Sequence, residues 1–132
     1  MRIFLDANIL FSAAQPHSRM GAFLDVLSDQ AECLTNAYAV EEARRNLELK
    51  CPEGLKALER FTRRCELISQ LMTDLDVELP LKDVPILGGA VAGRATHLLT
   101  GDEKDFGKYW GKRIQGVKIV SPRMLAKELG LS

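Results

Sequence analysis

Apolar positions along the chain alternate between short unbroken runs and stretches at helical spacing. Arg2-Ile3-Phe4-Leu5 is a run of bulky and apolar residues that stops at Asp6, the pattern of a strand buried in a parallel sheet. Asp6 then sits at its carboxyl end. From Met20 onward, Ala22, Phe23, Val26 and Leu27 recur at helical spacing, and Cys33-Leu34-Thr35 predicts a second short strand. Asn36 suits an N-cap. It precedes an amphipathic helix over Ala37 to Leu49, with Ala39, Val40, Ala43 and Leu47 on one stripe and Glu41, Glu42, Arg44 and Arg45 off it. Pro52 fits a first helical turn, and Leu55, Leu58, Phe61, Thr62 and Cys65 keep the helical spacing until Glu66-Leu67-Ile68-Ser69 turns extended. Residues 70–82 read as irregular chain.

Asp83 then opens Val84 to Gly93, where an acid at the cap, Pro85 in the first turn and small apolar residues predict a tightly packed helix. Gly88 and Gly89 within it each cost about 1 kcal/mol relative to Ala unless close packing requires them. His97-Leu98-Leu99-Thr100 predicts a strand ending at Gly101-Asp102, and Val117 to Val120 another. A last helix is punctuated by Ser121 as N-cap, Pro122 at the first helical position, Met124, Leu125 and Leu129 on one face, and Gly130 as terminator. Strands alternating with helices imply an α/β protein with a parallel sheet covered on both faces.

Composition sets the bounds. At 132 residues, 46% hydrophobic and 27% charged, the chain is expected to form a single globular domain over residues 1–132, with no repeat or low-complexity segment. The longest weakly polar stretch, Val84 to Gly93, is half of what a membrane span needs. With no signal peptide evident, the expected location is the cytoplasm. Three cysteines in no CxxC pair suggest neither a disulfide framework nor a Cys-type zinc site. Formal net charge is zero but divided, with nine Lys/Arg against thirteen Asp/Glu over residues 1–81 and nine against five over 82–132. Neutrality removes a strong non-specific grip on nucleic acid, while a local basic rim remains available to steer a phosphate chain.

In open parallel sheets the ligand crevice lies outside the carboxyl ends of the strands, where the strand order reverses. Asp6 ends the first predicted strand and Asp102 the fourth; Asp83 starts the helix leading into the fourth, and Glu41 or Glu42 lies on an earlier helix. Converging carboxylates repel by roughly 4 kcal/mol per pair at ~4 Å and an effective dielectric near 20. A hard divalent cation relieves that repulsion, and Mg²⁺ or Mn²⁺ prefers such oxygens. Taken one by one, these acids have ordinary uses as helix caps, turn residues and solvated charges. Only as a set do they point to a site.

Leu5-Asp6-Ala7-Asn8-Ile9-Leu10, Val40-Glu41-Glu42-Ala43-Arg44-Arg45-Asn46-Leu47, the segment from Asp83 to Val91, and Leu98-Leu99-Thr100-Gly101-Asp102-Glu103-Lys104-Asp105-Phe106 occur in this order. The set resembles the PIN domain from Arg2 to about Leu125. The resemblance implies a three-layer α/β/α fold with a central parallel sheet and a metal-dependent ribonuclease site, and many small members are VapC-like toxins of toxin–antitoxin pairs. Asp6, Glu42, Asp83 and Asp102 match its acidic quartet, and Asp105 a more variable additional acid. Asn8 and Thr100 match small polar positions that support the first and last acids. The resemblance further implies Mg²⁺ or Mn²⁺ as cofactor, RNA as substrate, products with a 5′-phosphate and a 3′-hydroxyl, a homodimer and a cognate antitoxin. Gly88-Gly89 departs from a better helix-forming stretch in the family.

Lys104 and Lys108, with Lys112 and Arg113 beyond them, are candidates for phosphate contact, and Tyr109 and Trp110 for stacking on an unpaired base. His17 and His97 have no ligand spacing. A phosphoacceptor receiver domain fits the alternation of elements but not the acids, since Asp6 has no acidic neighbour and no aspartate directly follows Glu66 to Ser69. A non-catalytic PIN-like module that binds RNA or protein is the other reading.

Overall fold

Ile3, Phe4 and Leu5 have almost no solvent exposure, because the strand they form, β1 (Arg2–Leu5), has a parallel strand on each side and helices on each face. The chain is described by a computed structural model over residues 1–131. Among the described residues the other strands are β2 (Glu32–Thr35), β3 (Glu66–Leu67), β4 (His97–Leu99), β5 (Arg113–Ile114) and β6 (Val117–Val120). They form one sheet in the order β3-β2-β1-β4-β6-β5. The helices are α1 (Ala7–Ala14), α2 (Arg19–Gln30), α3 (Ala37–Lys50), α4 (Leu55–Arg63), α5 (Val84–Ala92), α6 (Glu103–Phe106) and α7 (Pro122–Glu128). None is long and apolar enough to cross a membrane.

The chain winds from β1 outward to β2 and β3, then returns across the sheet to β4 on the other side of β1. Right-handed crossovers in opposite directions put the intervening helices on opposite faces. Accordingly, Leu5 and Cys33 line one small cavity with Leu24 of α2 and Phe61 of α4, whereas Phe4 faces Gly89 of α5. The strand order reverses between β1 and β4, so the crevice falls beyond Leu5 and Leu99.

Three features depart from the sequence-based expectation. Helix α1 was not foreseen: five of its eight residues, Ala7, Ile9, Leu10, Ala13 and Ala14, are buried, which leaves little polar face for a period to show. The sheet is not wholly parallel either. Strand β5 pairs antiparallel with β6 through a two-residue turn in which Gln115 (φ 50°) and Gly116 (φ 89°) both take left-handed backbone, the hairpin geometry that fits strand twist. The extended segment predicted over Glu66 to Ser69 contributes only Glu66 and Leu67 to the sheet.

The glycine pair has a packing reason. A Cβ on Gly88 would lie 2.3 Å from the Met72 carbonyl oxygen, and one on Gly89 would lie 2.4 Å from Asn36 Nδ2 and 3.2 Å from the Phe4 ring. The strap of chain before α5 thus lies against the helix, and the Met72 N–H donates to the Gly88 carbonyl at 3.0 Å. Its far end is tied to the β5–β6 hairpin, where the Asp76 N–H donates to Gln115 Oε1 and the Gln115 amide to the Asp74 carbonyl, at 3.0 and 3.2 Å. Tyr109 donates its hydroxyl to the Glu78 carbonyl at 3.0 Å. Asn36 caps α3 through the Ala39 N–H and donates to the Pro85 carbonyl, joining α3 to the start of α5.

Gly→Ala at an unstrained helix position gains about 1 kcal/mol from propensity. Here the sign reverses: Gly88→Ala and Gly89→Ala are each expected to lose about 2 kcal/mol or more in urea denaturation, because added carbon overlaps fixed backbone and core atoms.

Candidate metal centre

Asp6 is the first residue beyond β1 and the N-cap of α1. Its carboxylate accepts from the Ala7 N–H at 2.6 Å, from Asn8 Nδ2 at 3.1 Å and from the Thr100 hydroxyl at 2.7 Å. Thr100 stands at the equivalent place beyond β4, and its hydroxyl oxygen accepts the Asp102 N–H at 3.1 Å. Asn8 closes the bridge by accepting the Gly101 N–H on Oδ1 at 2.7 Å. Neighbouring strand ends are thereby stitched together by side chains ninety-four residues apart in sequence. Asp6 is only 3% exposed. Burial outweighs the Thr100 and Ala7 hydrogen bonds, and the charges of Glu42 and Asp102 add to it, so the carboxyl is pushed up to about 6.

Asp83 takes the N-cap position of α5 as expected, but its side chain does not cap the helix. Its backbone is already helical (φ −96°, ψ −12°) and its carboxylate makes no cap hydrogen bond, since a capping side chain folds back only from extended backbone. The side chain is instead buried, and its Oδ2 has no hydrogen-bond partner among the described residues. One oxygen each from Asp83, Asp102 and Asp105 lie within 4.8 Å of one another. Asp102 caps the short α6 by accepting the Asp105 N–H at 3.0 Å, which turns Asp105 inward until its side chain is 11% exposed. Burial first, and then the neighbouring Asp105, hold the Asp83 carboxyl far above the usual carboxylate range.

The acids therefore divide into the close group Asp83, Asp102 and Asp105, then Asp6, whose charge is felt at Asp83, and then Glu42. Glu42 is exposed on α3, and its field is felt at Asp6. Glu41 is tied to Arg44, which donates from Nε at 2.9 Å and also pairs with Glu48. Lys104 is exposed on α6, and the Lys108 ammonium lies 5.2 Å over the Tyr109 ring. His97 is buried in β4 with Nδ1 bonded to Thr96 and Nε2 to Glu128, at 2.8 and 2.9 Å. One charged residue escaped the sequence reading. Lys82 places Nζ 3.2 Å from Asp105 Oδ2, and its only sequence signal is adjacency to Asp83.

A metal ion fits these residues on two counts. The donors are all hard carboxylate oxygens with no sulfur or imidazole among them, and a buried anionic oxygen without a partner is costly unless a cation meets it. The group can hold a metal ion.

The chain is similar, at 20% identity and a TM-score of 0.65, to a chain in the crystal structure of VapBC2 from Rickettsia felis bound to a DNA fragment from its promoter; the match covers 92% of this chain and 98% of that one. The fold is PIN-like. A chain of FitAcB from Neisseria gonorrhoeae aligns at 20% identity and a TM-score of 0.58, over 92% and 98% of the two chains. A chain of FitAB bound to an IR36 DNA fragment aligns at 20% and 0.57, over 91% and 94%. No protein-family model and no curated protein sequence matches this chain.

Two carboxyls raised in the fold prescribe the pH dependence of the metal-free protein. Between the unfolded value near 4 and the raised folded values, the folded state binds more protons, so stability is highest at low pH in that range and falls as pH rises through about 6 and above. In chelator, Asp83→Asn is expected to stabilise the protein at pH 7.5 by about 1–2 kcal/mol and to flatten this dependence. Thermal melts from pH 5 to 8 check both.

Proposed function

We propose that the chain is a single PIN-like domain, residues 1–132, that hydrolyses RNA phosphodiester bonds with Mg²⁺ or Mn²⁺ held by Asp6, Glu42, Asp83 and Asp102, and that it is the toxin of a toxin–antitoxin pair. The observation that carries this reading is the buried Asp83 oxygen, without a partner among the described residues, set among Asp102 and Asp105 at the point where the strand order reverses. A bound divalent ion supplies charge neutralisation at the scissile phosphate and lowers the pKa of water.

The chain's own residues do the rest. Asn8 and Thr100 fix the rotamer of Asp6 by donating to its Oδ2, and such partners of a ligand set its orientation. Asp105 completes the acidic group beside Asp83. A carboxylate of the site orients the attacking water and takes its proton. Lys104 and Lys108 lie on the segment after Asp102 and are proposed to meet the RNA backbone. Likeness to chains of the VapBC2 and FitAB structures supports the toxin role; a cognate antitoxin, a homodimer and a cytoplasmic setting are proposed with it.

Purified protein is to be incubated with a labelled structured RNA in Mg²⁺, in Mn²⁺ and in chelator, beside Asp6→Asn and Asp102→Asn. Cleavage in both metals is expected, none in chelator, and a loss of about a hundredfold or more in either variant that keeps its circular dichroism. An RNA panel left intact, with no metal binding by calorimetry, would replace catalysis with a non-catalytic binding module.

A further inference from the structure

Among the described residues, Lys82 is the basic side chain that pairs with the group Asp83, Asp102 and Asp105. It occupies the turn Leu81–Asp83 immediately before Asp83, and its ammonium reaches Asp105 Oδ2 at 3.2 Å. The two ends of this ion pair are unequal, since the Asp105 side chain is 11% exposed and that of Lys82 is 65% exposed. The acid is therefore fixed in the group of three carboxylates while the ammonium approaches from solvent on a flexible stem. The hydrogen bond to Asp105 first, and then the charges of Asp83 and Asp102, favour the charged amine. Leu81, its neighbour, is 89% exposed, which leaves the turn little packed and the lysine free to change direction.

We propose that Lys82 is the resident cation of the metal-free centre, that a divalent ion displaces it from Asp105, and that the released ammonium then contacts a non-bridging phosphate oxygen of the nucleic acid. The inference rests on the metal-dependent reading above. A single ammonium suits the exchange because it is a point charge with three rotatable donors. An arginine would grip a carboxylate in a two-point fork and leave less readily. Neither Lys104 nor Lys108 is positioned for it, since neither forms an ion pair with the acidic group.

The experiment is a calorimetric titration of Mn²⁺ alone into chelator-stripped wild type, Lys82→Met and Lys82→Arg at low ionic strength, with RNA cleavage kinetics on the same samples. Lys82→Met is expected to bind Mn²⁺ about three- to fivefold tighter than wild type, and Lys82→Arg no tighter or weaker. In cleavage, Lys82→Met is expected to raise KM about three- to tenfold with a smaller change in kcat and a salt slope lower by about one, and Lys82→Arg to restore KM only at saturating Mn²⁺, where the metal has displaced the guanidinium from Asp105. General damage to the site would weaken metal and RNA binding together, so tighter metal with poorer RNA binding is the signature. Equal Mn²⁺ affinity in wild type and Lys82→Met would overturn the inference and leave the metal reading standing, as would an unchanged KM. A wild type that binds no Mn²⁺ would overturn both.

Discussion

Two carboxyl groups, Asp6 and Asp83, are removed from water beside the carboxyl ends of β1 and β4, and the surrounding structure is organised by what that removal costs. An isolated buried carboxylate is so unfavourable that it takes up a proton or finds a cation. The two acids meet this constraint differently. Asp6 is supplied with three donors, from Ala7, Asn8 and Thr100. Asp83 is supplied with none at Oδ2 among the described residues and stands beside further acids. The first arrangement locks a side chain in place; the second leaves an anionic oxygen open to a cation.

Such a site needs rigid support, because burying Asp6 and Asp83 as carboxylates opposes folding. The support is apolar and close. Phe4, Leu34, Leu98 and Ile119 are fully buried in successive strands β1, β2, β4 and β6, so the strand ends that present Asp6, Thr100 and Asp102 share one packed slab. Helix α5 is held to it by two glycines that admit the Met72 carbonyl on one side and Asn36 with Phe4 on the other. The strap from Met72 to Pro80 is pinned at the helix and at the β5–β6 hairpin. This delivers Lys82 and Asp83 opposite Asp102 and Asp105. An irregular segment without a core of its own thus determines which charges face each other.

The acids and their supports were partly visible as local signals. Asp6 and Asp102 terminate apolar runs, and Asn36, Ser121 and Pro122 announce helix starts that the structure contains. Helix α1 was not legible, because it is buried around most of its circumference and shows no polar period. The Gln115-Gly116 turn was missed because glutamine is an uncommon residue in left-handed backbone. At Asp83 the local signal was half right: an acid before Val-Pro takes the cap position, and only the backbone angles show that its carboxylate does not cap the helix.

What the sequence determined alone is the order and kind of elements and the placing of acids at strand ends, since periodicity, caps and breakers act within a few residues. What only the tertiary structure decided is which acids share a volume, which carboxylate oxygen lacks a partner, and that Lys82 belongs with them. These follow from strand register and from contacts between residues such as Asp6 and Thr100, ninety-four positions apart. No local rule carries that information, because the energy of a charge in a protein depends on every group packed around it.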